Sequence, residues 1–200
     1  MLVFISGGVR SGKSSLGEKL AVSLAGENRK IYLATARHYD DEITKRIQVH
    51  QQNRTGKNFL TIDKSWDIGS VVTALDVNDT VIVDCLGTLL ANEMFERPER
   101  TSSKSSFEPN NSKQLTLEIS TEKILADLYR IYDRVSNLIV VSNEVFSDGI
   151  QYPNPTETYI HTLAQLHIKL VEASDTAIEC MYSGYLCHKG NNTTLKLSLI

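Results

Sequence analysis

Residues 7–14 read Gly-Gly-Val-Arg-Ser-Gly-Lys-Ser, and the spacing Gly7-x4-Gly12-Lys13-Ser14 suits a phosphate. Glycines let successive backbone N–H groups turn toward one anion, and a helix opening just after them adds the positive end of its dipole. In such a loop Lys13 neutralises outer phosphates and the Ser14 hydroxyl ligates magnesium. The expected triphosphate cradle is therefore Gly7, Gly8, Val9, Arg10, Ser11, Gly12, Lys13 and Ser14. The competing reading is a plain glycine turn between a strand and a helix. Asp84 ends an apolar run, where a carboxylate either holds the same magnesium ion or caps the next helix. Glu144 follows a second apolar run and joins the nucleotide-site candidates, as does the pair Ala34-Thr35. Glu144 is also a candidate general base.

A second constellation lies in 41–54, Asp-Glu-Ile-Thr-Lys-Arg-Ile-Gln-Val-His-Gln-Gln-Asn-Arg. On a helix Ile43, Ile47 and His50 share one face, with Arg46 one turn before His50. A histidine at the edge of an apolar stripe beside an arginine stays neutral at pH 7, and a neutral imidazole attacks phosphorus. Arg46 and Arg54 would then stabilise phosphate oxygens. The alternative is a core histidine satisfied by hydrogen bonds, and spacing alone leaves both open.

The elements that must position these groups alternate. Strands are expected at Leu2–Ser6, Lys30–Thr35, Phe59–Ile62, Thr80–Val83, Asn137–Ser142 and, last, Ala177–Met181. Helices are expected at Ser14–Leu24, Asp40–Gln52, Trp66–Leu75, Leu86–Phe95, Leu115–Val135 and Thr156–Ala173. The stretch 96–114, rich in Ser, Pro, Asn and charge, reads as a mobile loop. Apolar strands separated by helices predict an α/β fold, a mostly parallel sheet with helices on both faces. Ligands bind such sheets beyond the carboxyl ends of the strands. Three polar groups fall there: the glycine loop, Asp84-Cys85 and Asn143-Glu144.

Two hundred residues suit one domain. A net charge of −3 gives no footprint for nucleic acid. No run of about 18 apolar residues predicts a membrane span, and the start lacks the basic region of a signal peptide. Three scattered cysteines form no disulfide framework, so a reducing, cytoplasmic setting is expected. His161 and His167 do not share a helix face, so no metal site is expected there.

Taken together, "GGVRSGKS", "ATARHYDDEITKRIQVHQQNR", "VDCLGTLLAN" and "SNEVFSDGI" resemble the bifunctional adenosylcobinamide kinase / adenosylcobinamide-phosphate guanylyltransferase family. The resemblance implies a P-loop NTPase fold of the RecA-like, recombinase type. It implies ATP or GTP as phosphate donor to adenosylcobinamide, a corrinoid, and transfer of GMP from GTP through a guanylyl-histidine. It places that histidine at His50, the triphosphate on residues 7–14 and the strand-end acid at Asp84, with Mg2+ as cofactor. A homo-oligomer, a trimer in the family, is implied too. Two less specific readings stand beside it: a small-molecule kinase alone, or a nucleotide-binding protein without turnover. The chain departs from the family pattern at Gly87 (threonine is usual), and over 151–175. There Glu157 stands near the usual arginine, Tyr159 at the aromatic, Ala164 at a glycine and His167 at an asparagine.

Overall fold

A computed structural model describes residues 1–37, 56–96, 111–182 and 184–190. The expected helix at 40–52, with Arg46 and His50, and Arg54 beyond it, lies outside the described residues, as do positions 97–110 of the expected mobile loop.

Seven strands form one sheet: β1 (Leu2–Gly7), β2 (Lys30–Ala34), β3 (Phe59–Asp63), β4 (Thr80–Asp84), β5 (Asn137–Asn143), β6 (Thr176–Met181) and β7 (Gly184–Lys189). Their order is β3-β2-β4-β5-β1-β6-β7, parallel throughout except for the β6–β7 hairpin. The helices are α1 (Lys13–Ala25), α2 (Leu86–Phe95), α3 (Asn111–Arg134) and α4 (Asn154–Ala173), with a 3-10 helix at Ile68–Ala74.

Because successive strand residues face opposite ways, each strand feeds two cores. Val3 and Ile5 join Ile82, Ile139, Val141 and Ile178 against Leu16, Leu20 and Ala21 of α1. Leu2 and Phe4 join Leu33, Val83 and Val140 against α2, α3 and α4. That two-sided burial is why the strands read as continuous apolar runs rather than alternating ones. Gly17 lets α1 lie close to the sheet: a Cβ there would stand 3.2 Å from Val141.

Three expectations are corrected. Trp66–Leu75 is not an α-helix but a tight 3-10 turn over Ile68–Ala74. Gly69 and the β-branched Val71, Val72 and Thr73 disfavour the α form. The turn also lets Gly69 meet α3, where a Cβ would clash with the Asp127 carboxylate. The long helix begins at Asn111 rather than Leu115, so 111–114 is helical and not loop; Asn and Ser suit a helix start, and Lys and Gln propagate it. Ala177–Met181 is not the last strand, since β7 follows it. β7 is an exposed edge, and its apolar part is only the three residues Tyr185-Leu186-Cys187, too short a run to mark a strand.

Candidate functional site

The glycine loop leaves β1 at the carboxyl edge of the sheet and opens α1. Gly12 takes φ +93°, a conformation that favours glycine, and Arg10 is also left-handed at φ +62°. A side chain at Gly7 would fall 2.6 Å from both the Cys180 carbonyl oxygen and Ser11 Oγ, so the loop start is packed against β6. Leu16 N–H donates to the Gly12 carbonyl at 2.9 Å, closing the first turn of α1. The Lys13 side chain folds back, and Nζ donates to the Gly8 carbonyl at 2.9 Å. It is only 7% exposed. Burial lowers its pKa, and the nearby Asp84 carboxylate opposes that shift. The ammonium lies at the start of a helix, beside exposed Val9 and Arg10, where an anion is favoured. Val9, Arg10, Gly12, Lys13, Ser14 and Asn143 line a cleft of about 590 Å³ there.

The strand order places β5 between β1 and β4, so Asn143-Glu144 emerges between the loop and Asp84. Glu144 N–H donates to the Gly7 carbonyl at 2.9 Å, joining the β5 end to the loop. The Glu144 carboxylate accepts from Phe146 N–H at 2.6 Å and Ser147 Oγ at 2.9 Å. Asp84 accepts a hydrogen bond from the Tyr32 hydroxyl of β2 through one oxygen, Oδ2. Its Oδ1 and the Ser14 hydroxyl are hard oxygen donors, a set that suits magnesium. Burial raises the Cys85 thiol pKa, with Asp84 adding to it, so Cys85 stays a packed thiol rather than a nucleophile.

The structure therefore brings together residues 7–14, Asp84 and Glu144 on one edge. Ala34 and Thr35 are placed differently. Ala34 packs toward the α1-side core. Thr35 is fully buried: its Oγ1 donates to the Cys85 carbonyl at 2.9 Å and accepts from Cys85 N–H at 2.8 Å. Asn92 Nδ2 ties the Thr35 carbonyl to that of Ser65, at 2.9 and 3.0 Å. Thr35 braces the turn after Asp84 and does not face the loop cleft.

His167 of α4, for which the sequence predicted no metal site with His161, packs against β5. Its Nε2 is 2.7 Å from Ser142 Oγ on β5, and its ring meets Phe4 and Phe146 edge-on at 4.9 and 5.1 Å. Burial pushes its pKa down from 6.5 to about 4, Glu144 opposing. A depressed histidine pKa means the unfolded chain protonates first as pH falls. Stability is thus present above pH 6.5 and lost on descending toward 4, by up to about 3 kcal/mol. Urea unfolding at pH 7 and pH 4.5 should show this loss in the wild type and a flatter response in His167→Gln.

Residues 3–188 match the family model for cobinamide kinase / cobinamide phosphate guanyltransferase. The chain belongs to that family. It is 30% identical over 97 residues to the bifunctional adenosylcobalamin biosynthesis protein CobU of Escherichia coli, covering 48% of this chain and 51% of that protein. The chain thus spans about half the length of that relative. It is 27% identical over 172 residues to the bifunctional adenosylcobalamin biosynthesis protein CobP of Pseudomonas aeruginosa, covering 84% and 86%. Among solved structures, the flagellar accessory protein FlaH from Methanocaldococcus jannaschii is 15% identical, with TM-score 0.43 and coverage of 95% of this chain and 78% of that one.

Gly87 and Tyr159 meet where α2 and α4 pack together. Gly87 opens α2, and Tyr159 of α4 donates its hydroxyl to the Gly87 carbonyl at 3.2 Å. A Cβ on Gly87 would stand 2.9 Å from that oxygen. Burial pushes the Tyr159 pKa up to about 12, so the group stays a neutral donor. A tyrosine here needs the glycine. Gly87→Thr should destabilise by about 1–3 kcal/mol through overpacking, and Tyr159→Phe in the same chain should recover part of it. A double-mutant cycle by chemical denaturation measures the coupling.

Proposed function

We propose that this protein is a nucleotide-dependent transferase of corrinoid assembly: it phosphorylates adenosylcobinamide with ATP or GTP and then attaches GMP to the resulting phosphate. The observation that supports this best is the buried Lys13 beside Asp84 at the carboxyl edge of the sheet, in a chain of this family. In the kinase step the alcohol oxygen bonds to the γ-phosphorus, the bond to the β-phosphate oxygen breaks, and the nucleoside diphosphate leaves. The loop amides and Lys13 hold the charge that develops on the leaving oxygens. Glu144, tied to the loop through the Gly7 carbonyl, is the proposed acceptor of the alcohol proton. Ser14 and Asp84 would hold magnesium, which when bound offsets charge on the outer phosphates.

In the second reaction an imidazole nitrogen of His50 bonds to the α-phosphorus of GTP and pyrophosphate departs. A phosphate oxygen of the corrinoid intermediate then displaces the histidine, restoring a neutral ring. Arg46 and Arg54 are the proposed partners of the α-phosphate oxygens. The reading includes a single nucleotide-binding unit, a cytoplasmic setting and a homo-oligomer. The last two follow from cysteine usage and family resemblance. Among the described residues no helix is long and apolar enough to cross a membrane.

The test incubates the protein with α-labelled GTP and, separately, γ-labelled nucleotide plus adenosylcobinamide. Protein-bound label that is acid-labile and base-stable, together with a phosphorylated corrinoid, is the expected result. Corrinoid phosphorylation without protein label reduces the activity to a kinase. Neither product, with nucleotide still bound, leaves a binding protein.

A further inference from the structure

The cleft over the phosphate loop continues into a second lobe of about 280 Å³ toward β6 and β7, the two sharing Arg10, Gly12 and Ser15. Tyr185, Lys19, Ser11 and Cys180 complete this lobe. Tyr185 of β7 pairs directly with Cys180 of β6, so the two side chains lie on one face of the sheet. Cys180 is buried against the α1-side core, which puts the Tyr185 ring on the face carrying α1. Tyr185 as a residue is 39% exposed, and the Ser11 hydroxyl oxygen is buried without a hydrogen-bond partner among the described residues.

The sheet order sets a direction. Asp84 lies on β4, two places from β1 on one side; Tyr185 lies on β7, two places from β1 on the other. At about 4.8 Å per strand, each is about 10 Å from the strand that carries the loop. If Ser14 and Asp84 attend the outer phosphates, the α-phosphate, sugar and base extend the opposite way, over β6 and β7. We propose that the second lobe is the base subsite of the nucleotide site, with the Tyr185 ring as the surface on which the base stacks and Lys19 and Arg10 as cationic donors at its rim. This rests on the triphosphate reading of the loop. An aromatic face accepts any base, so it contributes affinity without relying on a base-specific contact.

The experiment compares equilibrium binding of GTP and of inorganic tripolyphosphate, which has no base, to the wild type, Tyr185→Phe and Tyr185→Ala. Stacking predicts that Tyr185→Ala weakens GTP about tenfold while Tyr185→Phe stays near wild type. Tripolyphosphate should bind all three equally, which also shows that the loop is intact in each. Unchanged GTP affinity in Tyr185→Ala, with tripolyphosphate still bound, overturns the subsite and leaves the loop reading standing. Parallel loss of both ligands makes Tyr185 a structural residue and overturns it too, as does a Tyr185→Phe variant as weak as Tyr185→Ala. A wild type that binds neither ligand removes the loop reading, and the subsite falls with it.

Discussion

Lys13→Ala lowers nucleotide-dependent turnover by about 10²–10³-fold, the usual cost of deleting one preorganised charged donor from a phosphoryl-transfer site. The reason is local. The ammonium is buried at the start of α1 and donates to the Gly8 carbonyl, so its removal takes the buried lysine charge away from the outer phosphates. The fold itself should not suffer, because the buried charge is a cost that a phosphate, not the protein, offsets. Titration of GTP followed by calorimetry, beside a thermal melt, separates the two effects. The same burial makes a pH signature. Lys13 binds its proton less tightly in the folded protein than its ordinary 10.5, because burial disfavours the cation, so the cationic form is lost as pH rises through a value below 10.5. GTP affinity should decline on the alkaline side beginning below pH 10.5, and Lys13→Ala should lack that decline. Full affinity in Lys13→Ala at pH 7 would remove the loop from the mechanism.

His50→Ala abolishes uptake of GMP label yet leaves phosphorylation of adenosylcobinamide within a few-fold of wild type. Two described groups are poor substitutes for the nucleophile: His167 is engaged with Ser142, and the Cys85 thiol is held protonated. The segment that carries His50 leaves β2 beyond Thr35, at the edge where the loop lies. It is bounded there by Arg37, which pairs with Glu96 at 2.6 Å and covers the Trp66 ring at 5.2 Å. It returns through Lys57, paired with Glu18 of α1 at 3.0 Å. His50→Ala that still takes up label moves the covalent chemistry elsewhere. Loss of both reactions would mean the histidine serves the shared triphosphate pocket instead of one transfer.

The sheet was readable because its strands are buried on both faces. Val81-Ile82-Val83 and Leu138 to Val141 have no polar interruption, so length and composition mark them without any period to count. The loop was readable because its function fixes residue types at fixed offsets, Gly12-Lys13-Ser14 directly before the helix that needs them. What escaped is where tertiary contact outranks local preference. Gly69 looks like a helix interior residue until Asp127 arrives from α3. Thr35 stands at a strand end, and only the fold shows its hydroxyl engaged with the Cys85 backbone as both donor and acceptor. Tyr185 sits on an edge strand whose outer residues need no pattern, and only the register with Cys180 shows which face it occupies.

The hairpin that ends the sheet has a consequence for solubility. β7 runs antiparallel to β6 with a register irregularity between Ala177 and Ile178, and its tip carries the fully exposed Tyr182. A bulged, twisted border is a poor template for a neighbouring molecule. A chain cut after Met181 would instead leave Thr176–Met181 as the open border of the sheet, and would be expected to self-associate more readily than the intact chain.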